Sequence, residues 1–197
     1  GSNYVSAADL GRLIAWDDTP EKISVLYVKN NALEYGEWGI GESKLERVHE
    51  LSRSTNVIAG VLLTQHGTTY VWWYERDRSM VRGAKLIGGM WSATGEYSLG
   101  PIADLTWPHP VIAASDEGQF TCLLMCLDGR IVRYRVPSAG EPDVSTVQRD
   151  VIWGEARDPV YERPLNLKTI SVSGRTYAFL IVSDRKGVCH VLVSTPL

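Results

Sequence analysis

Four segments of the 197-residue chain share one layout, and this repetition constrains the fold more than any other feature. Each segment opens with a short apolar run. A longer apolar run follows, then a polar turn and a returning run. In the first, Leu13-Ile14-Ala15-Trp16 precedes Ile23-Ser24-Val25-Leu26-Tyr27-Val28, the turn Lys29-Asn30-Asn31, and Ala32-Leu33-Glu34-Tyr35-Gly36-Glu37-Trp38. The other three open at Val57-Ile58-Ala59, Val111-Ile112-Ala113 and Thr169-Ile170-Ser171. The opening isoleucines, Ile14, Ile58, Ile112 and Ile170, lie 44, 54 and 58 residues apart. Units of this length holding several strands each are the mark of a propeller. The expected fold is all-β: a propeller-like repeat of about four blades of antiparallel strands, incomplete alone or completed by oligomerisation. Repeats at 12–55, 56–109, 110–166 and 167–197 would form a single domain, 3–197. Gly1-Ser2 reads as the remnant of a cleaved tag and is set aside.

Local signals support hairpins within each repeat. Asp128-Gly129 between two apolar runs is a strong hairpin dipeptide, and the other turns carry Asn, Asp or Gly, which tolerate positive φ. The run Cys122 to Leu127 is apolar at successive positions, as expected of a strand covered on both sides. Arg130 to Val136 alternates and is expected to be a half-exposed outer strand. Lys44 to Leu51 has Leu45, Val48 and Leu51 at helical spacing, yet loop or strand is favoured there. The long Pro-rich stretch 137–166 reads as an insertion, with Val151-Ile152-Trp153 as a further edge strand. Trp72-Trp73 must point to opposite faces of one strand.

Composition narrows the function classes. A net charge of -3 leaves no basic excess for nucleic acid. No apolar run approaches the ~18 residues that a membrane span needs, so no membrane partner is expected. Three cysteines are too few for a disulfide framework, and none of the five asparagines begins an Asn-x-Ser/Thr acceptor. Both facts point toward a reducing, intracellular setting. Seven Trp and nine Tyr stand against two Phe, a mix that suits recognition surfaces.

The first repeat carries a resemblance. Ile23-x-Val25-x-Tyr27, then Asn31-x-Leu33, then Tyr35 and Trp38 resemble the blade motif of the fungal fucose-specific lectins. The resemblance implies a propeller with sugar pockets between blades, each using an arginine, a glutamate and a tryptophan. The positions that match the arginine are Ser24, Val71, Cys122 and Phe179, none of them basic. The glutamate position falls on Tyr35, with Glu34 and Glu37 beside it, and Trp38 and Trp91 keep the aromatic. The resemblance therefore implies a fold more than fucose binding, because no other side chain replaces the forked donors of a guanidinium.

No enzyme motif is present: no G-x-S-x-G, no H-E-x-x-H and no phosphate-binding glycine loop. Cys122 and Cys126 would sit ~13 Å apart on a strand, too far for a disulfide or a shared metal, and read as small buried hydrophobes. The four histidines show no ligand spacing, so no metal or cofactor is expected. Asp17-Asp18 reads as a solvated turn before Thr19-Pro20. The expectation is a non-catalytic binding module, foremost a protein-interaction scaffold, with a lectin-type carbohydrate-binding module as the alternative. Its partner would be a protein or a glycan. The candidate ligand-binding residues are Trp38, Trp91 and Trp107 as aromatic platforms, with Glu34, Glu37, Asp104, Arg82 and Arg133 as hydrogen-bonding groups.

Overall fold

In the computed structural model, residues 11–39, 41–42, 44–54, 56–65, 67–99, 110–114, 121–127, 130–136, 147–153, 161–173 and 175–197 are described. They form fifteen strands in four antiparallel sheets, arranged as the blades of a propeller. Blade 1 holds β1 (Arg12–Asp18), β2 (Lys22–Lys29), β3 (Ala32–Gly39) and β4 (Glu46–Ser52). Blade 2 holds β5 (Val57–Gln65), β6 (Thr68–Glu75), β7 (Met80–Ile87) and β8 (Met90–Ser98). Blade 3 holds β9 (Val111–Ala114), β10 (Thr121–Leu127), β11 (Arg130–Val136) and β12 (Gln148–Trp153). Blade 4 holds β13 (Tyr161–Val172), β14 (Arg175–Asp184) and β15 (Cys189–Val193). Within every blade the strands pair in chain order.

The turns explain the tight hairpins. Lys29 pairs with Ala32, leaving a two-residue turn in which Asn30 and Asn31 have φ of 50° and 66°. Two consecutive positive φ values define the type I′ turn, whose twist matches that of the strands it joins. Gly88 and Gly89 repeat this between Ile87 and Met90. Segment 44–51 is not helical, since β4, the outer strand of blade 1, takes it from Glu46 onward. Val151-Ile152-Trp153 ends β12, the outer strand of blade 3.

One expectation about exposure is corrected. β11 is not the outer strand, because β12 pairs along it. Ile131, Val132 and Tyr134 are accordingly buried. β13 begins at Tyr161, inside the stretch read as an insertion, and accommodates Pro164 next to a register shift before Asn166. A bulge is where a strand tolerates a residue that cannot donate to the ladder.

The core is a series of slabs between blades. Leu26, Leu33 and Tyr35 of blade 1 meet Val57, Leu62, Val71, Trp73 and Ala84 of blade 2. Trp72, Tyr74 and Tyr97 of blade 2 meet Ile112, Leu123 and Val132 of blade 3. Leu124 and Ile131 of blade 3 meet Leu167, Leu180 and Val182 of blade 4. Trp72 and Trp73 do point opposite ways, and both are buried, one in each of two adjacent slabs. The inner strands pack in succession, β1 on β5, β5 on β9 and β9 on β13. Arg12 Nη2 donates to the Val57 carbonyl at one end of the β1–β5 contact. Thr64 N donates to Asp17 Oδ2 at 2.7 Å at the other. Asp17 is thus a linker between blades and not a solvated turn residue.

Candidate functional site

Strand alternation decides which acidic residue of β3 is buried. Leu33, Tyr35 and Glu37 face blade 2, while Glu34 and Trp38 face away from it. Glu37 is 5% exposed, and it forms the floor of a cleft of about 840 Å³ between blades 1 and 2. The cleft opens where the β1–β2, β5–β6 and β7–β8 turns converge, and Glu21, His49 and Thr69 also line it.

Glu37 is held from three sides. Lys22 Nζ donates to Oε1 at 2.5 Å, and the Tyr35 hydroxyl donates to the same oxygen at 2.8 Å. Arg47 Nη1 reaches Oε2 at 3.3 Å. Tyr35 lies 3.1 Å from Ser24 Oγ, which completes a short chain of polar groups beneath the cleft. Burial alone would raise the Glu37 carboxyl, but the hydrogen bonds from Lys22 and Tyr35 and the charges of Lys22 and Arg47 outweigh it. The carboxyl is therefore held below its usual range and stays ionised. Burial is also the main reason that the Tyr35 phenol is raised, so it remains a donor. Among the described residues Oε2 carries only the longer contact to Arg47, whose side chain is 74% exposed. It is the oxygen with capacity left for another group.

A pH effect follows. A carboxyl whose folded value is depressed contributes stability fully above its unfolded value, and loses it as pH falls through the folded value. The melting temperature is expected to drop as pH falls below the ordinary value of 4.5. Glu37→Gln should flatten that acid limb relative to wild type; identical limbs in the two proteins would contradict the ion-pair description.

A second groove, of about 520 Å³, lies on the same seam between blades 1 and 2 and is lined by Arg82, Trp91, Trp73, Glu50 and Glu96. Arg82 Nη2 donates to Glu96 Oε1 at 2.8 Å. Trp91 packs edge-on to Tyr35, with ring centroids 4.9 Å apart, and to His49 at 6.2 Å. His49 and Trp91 therefore stand back to back, one lining the cleft and the other the groove.

The candidate residues from sequence are thus dispersed. Glu37 sits in the cleft, and Arg82 and Trp91 share the groove. Glu34 lies on the opposite face of blade 1 beside the Tyr27 hydroxyl. Trp38 is on that face too, donating its indole N–H to the Glu42 carbonyl at 2.6 Å. Arg133 is in blade 3, forked onto Asp150 at 3.0 and 2.5 Å. Asp104 and Trp107 lie outside the described residues. Sequence reasoning missed Lys22, Arg47, Tyr35 and Glu75. Glu75, at the end of the apolar run Val71-Trp72-Trp73-Tyr74, is fully buried. An acid closing so apolar a strand was the available signal.

No protein-family model matches the chain, and no curated protein does. Solved structures do share its fold. The chain is similar to the hydrazine synthase of Kuenenia stuttgartiensis with a TM-score of 0.56 and 11% identity, over 92% of this chain and 49% of that one. It is similar to a bifunctional GH43-CE protein of Bacteroides eggerthii, with a TM-score of 0.52 and 14% identity, over 96% of this chain and 27% of that one. It is similar to an exo-β-1,3-galactanase of Phanerochaete chrysosporium, solved with galactose, with a TM-score of 0.52 and 14% identity, over 100% of this chain and 52% of that one. The chain spans about half or less of the length of these structures. The likeness is one of fold, and it corrects the expectation of a non-catalytic module, as scaffold or as lectin-type domain. The hydrazine synthase and the galactanase are enzymes on this fold, so neither repetition nor the missing motifs argues against catalysis. Function lives in a site grafted on a fold, so a short linear motif is not required for catalysis.

Proposed function

We propose that the chain is a carbohydrate-active catalytic module of the glycoside-hydrolase kind, with the cleft between blades 1 and 2 as its sugar site. The carrying observation is Glu37: a buried carboxylate, kept ionised by Lys22, Tyr35 and Arg47, at the floor of a solvent-open cleft. Glycoside hydrolysis in its common form uses two carboxyl groups flanking the scissile bond. One is charged and acts as base or nucleophile, and the other gives a proton to the leaving oxygen. Glu37 Oε2 suits the first role. Glu21, exposed on the β1–β2 turn, is the second carboxyl lining the same cleft and the candidate partner for Glu37. His49, Thr64 and Thr69 offer hydrogen bonds to sugar hydroxyls. The galactanase and GH43-CE likenesses support the substrate class, since both carry this fold.

The test is release of sugar from a panel of aryl glycosides and plant polysaccharides, galactans and arabinans included. Turnover is expected for the wild-type chain, with a loss of about 10²–10⁴-fold in Glu37→Gln and in Glu21→Gln. Glu21→Gln should melt as wild type does, since that side chain is exposed. A folded wild-type protein that turns over nothing in the panel would sink the reading, as would a Glu37→Gln variant of undiminished rate.

A further inference from the structure

The apolar slabs between blades stop at the two ends of the propeller. Blade 4 turns Leu167, Ala178, Leu180 and Val182 toward blade 3. Alternation puts their neighbours on the opposite face, where Ile170, Val172, Val191 and Val193 are 50–61% exposed. On that face Phe179 pairs with Val193, and Ile181 with Val191. Among the described residues blade 4 has three strands where the others have four, and the outer edge of β15 is unpaired. Blade 1 is similar at the other end. Its inner face joins the slab with blade 2, while its outer face shows Leu13 at 44%, Val48 at 49% and Trp16 at 65% exposure. Among the described residues, no contact as extensive as those between successive inner strands joins β13 back to β1. Contiguous exposed apolar surface of this kind marks a place of association.

The charges bordering the two faces are opposite. Lys168, beside Phe179, and Arg175, beside Val172, flank the exposed face of blade 4. Asp18, beside Ile23, and Glu34, beside Tyr27, flank the outer face of blade 1, with Lys29 at the β2–β3 turn end of the same face as the one cation on β2 there. Two blade 4 faces brought together would oppose cation to cation, whereas a blade 4 face on a blade 1 face opposes cation to anion. Such complementarity sets which surfaces pair. We infer that a second copy of this chain covers the exposed face of blade 4 with the outer face of its own blade 1. Trp16 and Leu13 of one copy then pack on Val191, Val193, Ile170 and Val172 of the other. The contact is head-to-tail, so a pair of copies keeps one free blade 1 face and one free blade 4 face, and association continues beyond two unless a ring closes.

Light scattering of the whole chain over a wide concentration range tests this. The mass should rise above that of the monomer with concentration. Trp16→Glu and Val191→Glu should each be monomeric, with melting temperatures near that of wild type, because both side chains are exposed. Mixing the two variants is the decisive arm. One retains an intact blade 4 face and the other an intact blade 1 face, so the mixture should give a one-to-one dimer and nothing larger. A wild-type chain monomeric at every concentration overturns the inference. A mixture that stays monomeric does so too, as does a Trp16→Glu variant that assembles like wild type, which would indicate symmetric pairing through blade 4.

Discussion

Glu75→Ala is expected to destabilise the chain by about 3–5 kcal/mol, the range for breaking one partner out of a buried charge network. Glu75 is fully buried at the end of β6. Its Oε1 accepts from Trp73 Nε1 at 3.0 Å and from Ser52 Oγ at 2.7 Å, so it ties blade 2 to the last strand of blade 1. Its Oε2 makes no hydrogen bond but faces the guanidinium groups of Arg78 at 3.5 Å and Arg82 at 3.8 Å. Alanine would leave the indole N–H and the serine hydroxyl without their acceptor and remove the Glu75 countercharge from Arg78 and Arg82, Arg82 keeping its pair with Glu96. Glu75→Gln keeps the acceptor and loses only the charge, so its effect should be smaller. Urea unfolding followed by Trp fluorescence reads both. Since domains are typically stable by only about 5–15 kcal/mol, the alanine variant should show a large drop in midpoint. A midpoint within error of wild type would mean that the network contributes nothing.

Trp72→Ala is the second large effect, about 3–5 kcal/mol, as for other large-to-small changes of buried aromatics. Trp72 is 1% exposed, stacks on Tyr97 with ring centroids 6.1 Å apart, and fills the slab between blades 2 and 3. Its neighbours show why glycine is needed beside it. Gly83 pairs with Trp72 on one side and with Gly95 on the other. A Cβ on Gly83 would lie 2.6 Å from two Trp72 ring carbons, and one on Gly95 would lie 2.4 Å from the Tyr97 ring. Gly83→Ala alone should therefore destabilise by about 1–3 kcal/mol through overpacking. In the Trp72→Ala background the same substitution should have less effect, because the ring it strikes is gone and, of the three nearest contacts, only that with Thr94 Oγ1, 2.4 Å from such a Cβ, remains. A double-mutant cycle by urea unfolding measures the difference. Strict additivity would show that the tryptophan ring is not what excludes a side chain at Gly83.

Local chemistry settled much of the architecture in advance. The openers Ile14, Ile58, Ile112 and Ile170 lie on or at the inner strands of four blades, because the run pattern and turn residues are properties of short stretches. Asn30-Asn31 marked its hairpin because few residues adopt positive φ twice in succession. The opposite orientation of Trp72 and Trp73 followed from the two-residue period of a strand alone.

Tertiary structure decided everything that depends on which blade meets which. Glu34 and Glu37 look alike in sequence, yet only Glu37 lies at the blade 1–blade 2 seam, where Lys22 and Arg47 keep it charged. Arg82 and Trp91 were plausible on separate grounds, and only the β7–β8 pairing puts them in one groove. Arg133 was consumed by Asp150, seventeen residues on, through a register that no local pattern encodes. The exposed faces of blades 1 and 4 likewise belong to the assembled arc. An apolar strand reads the same whether a neighbouring blade covers it or not, because periodicity records which face is apolar, and only packing determines what lies against that face.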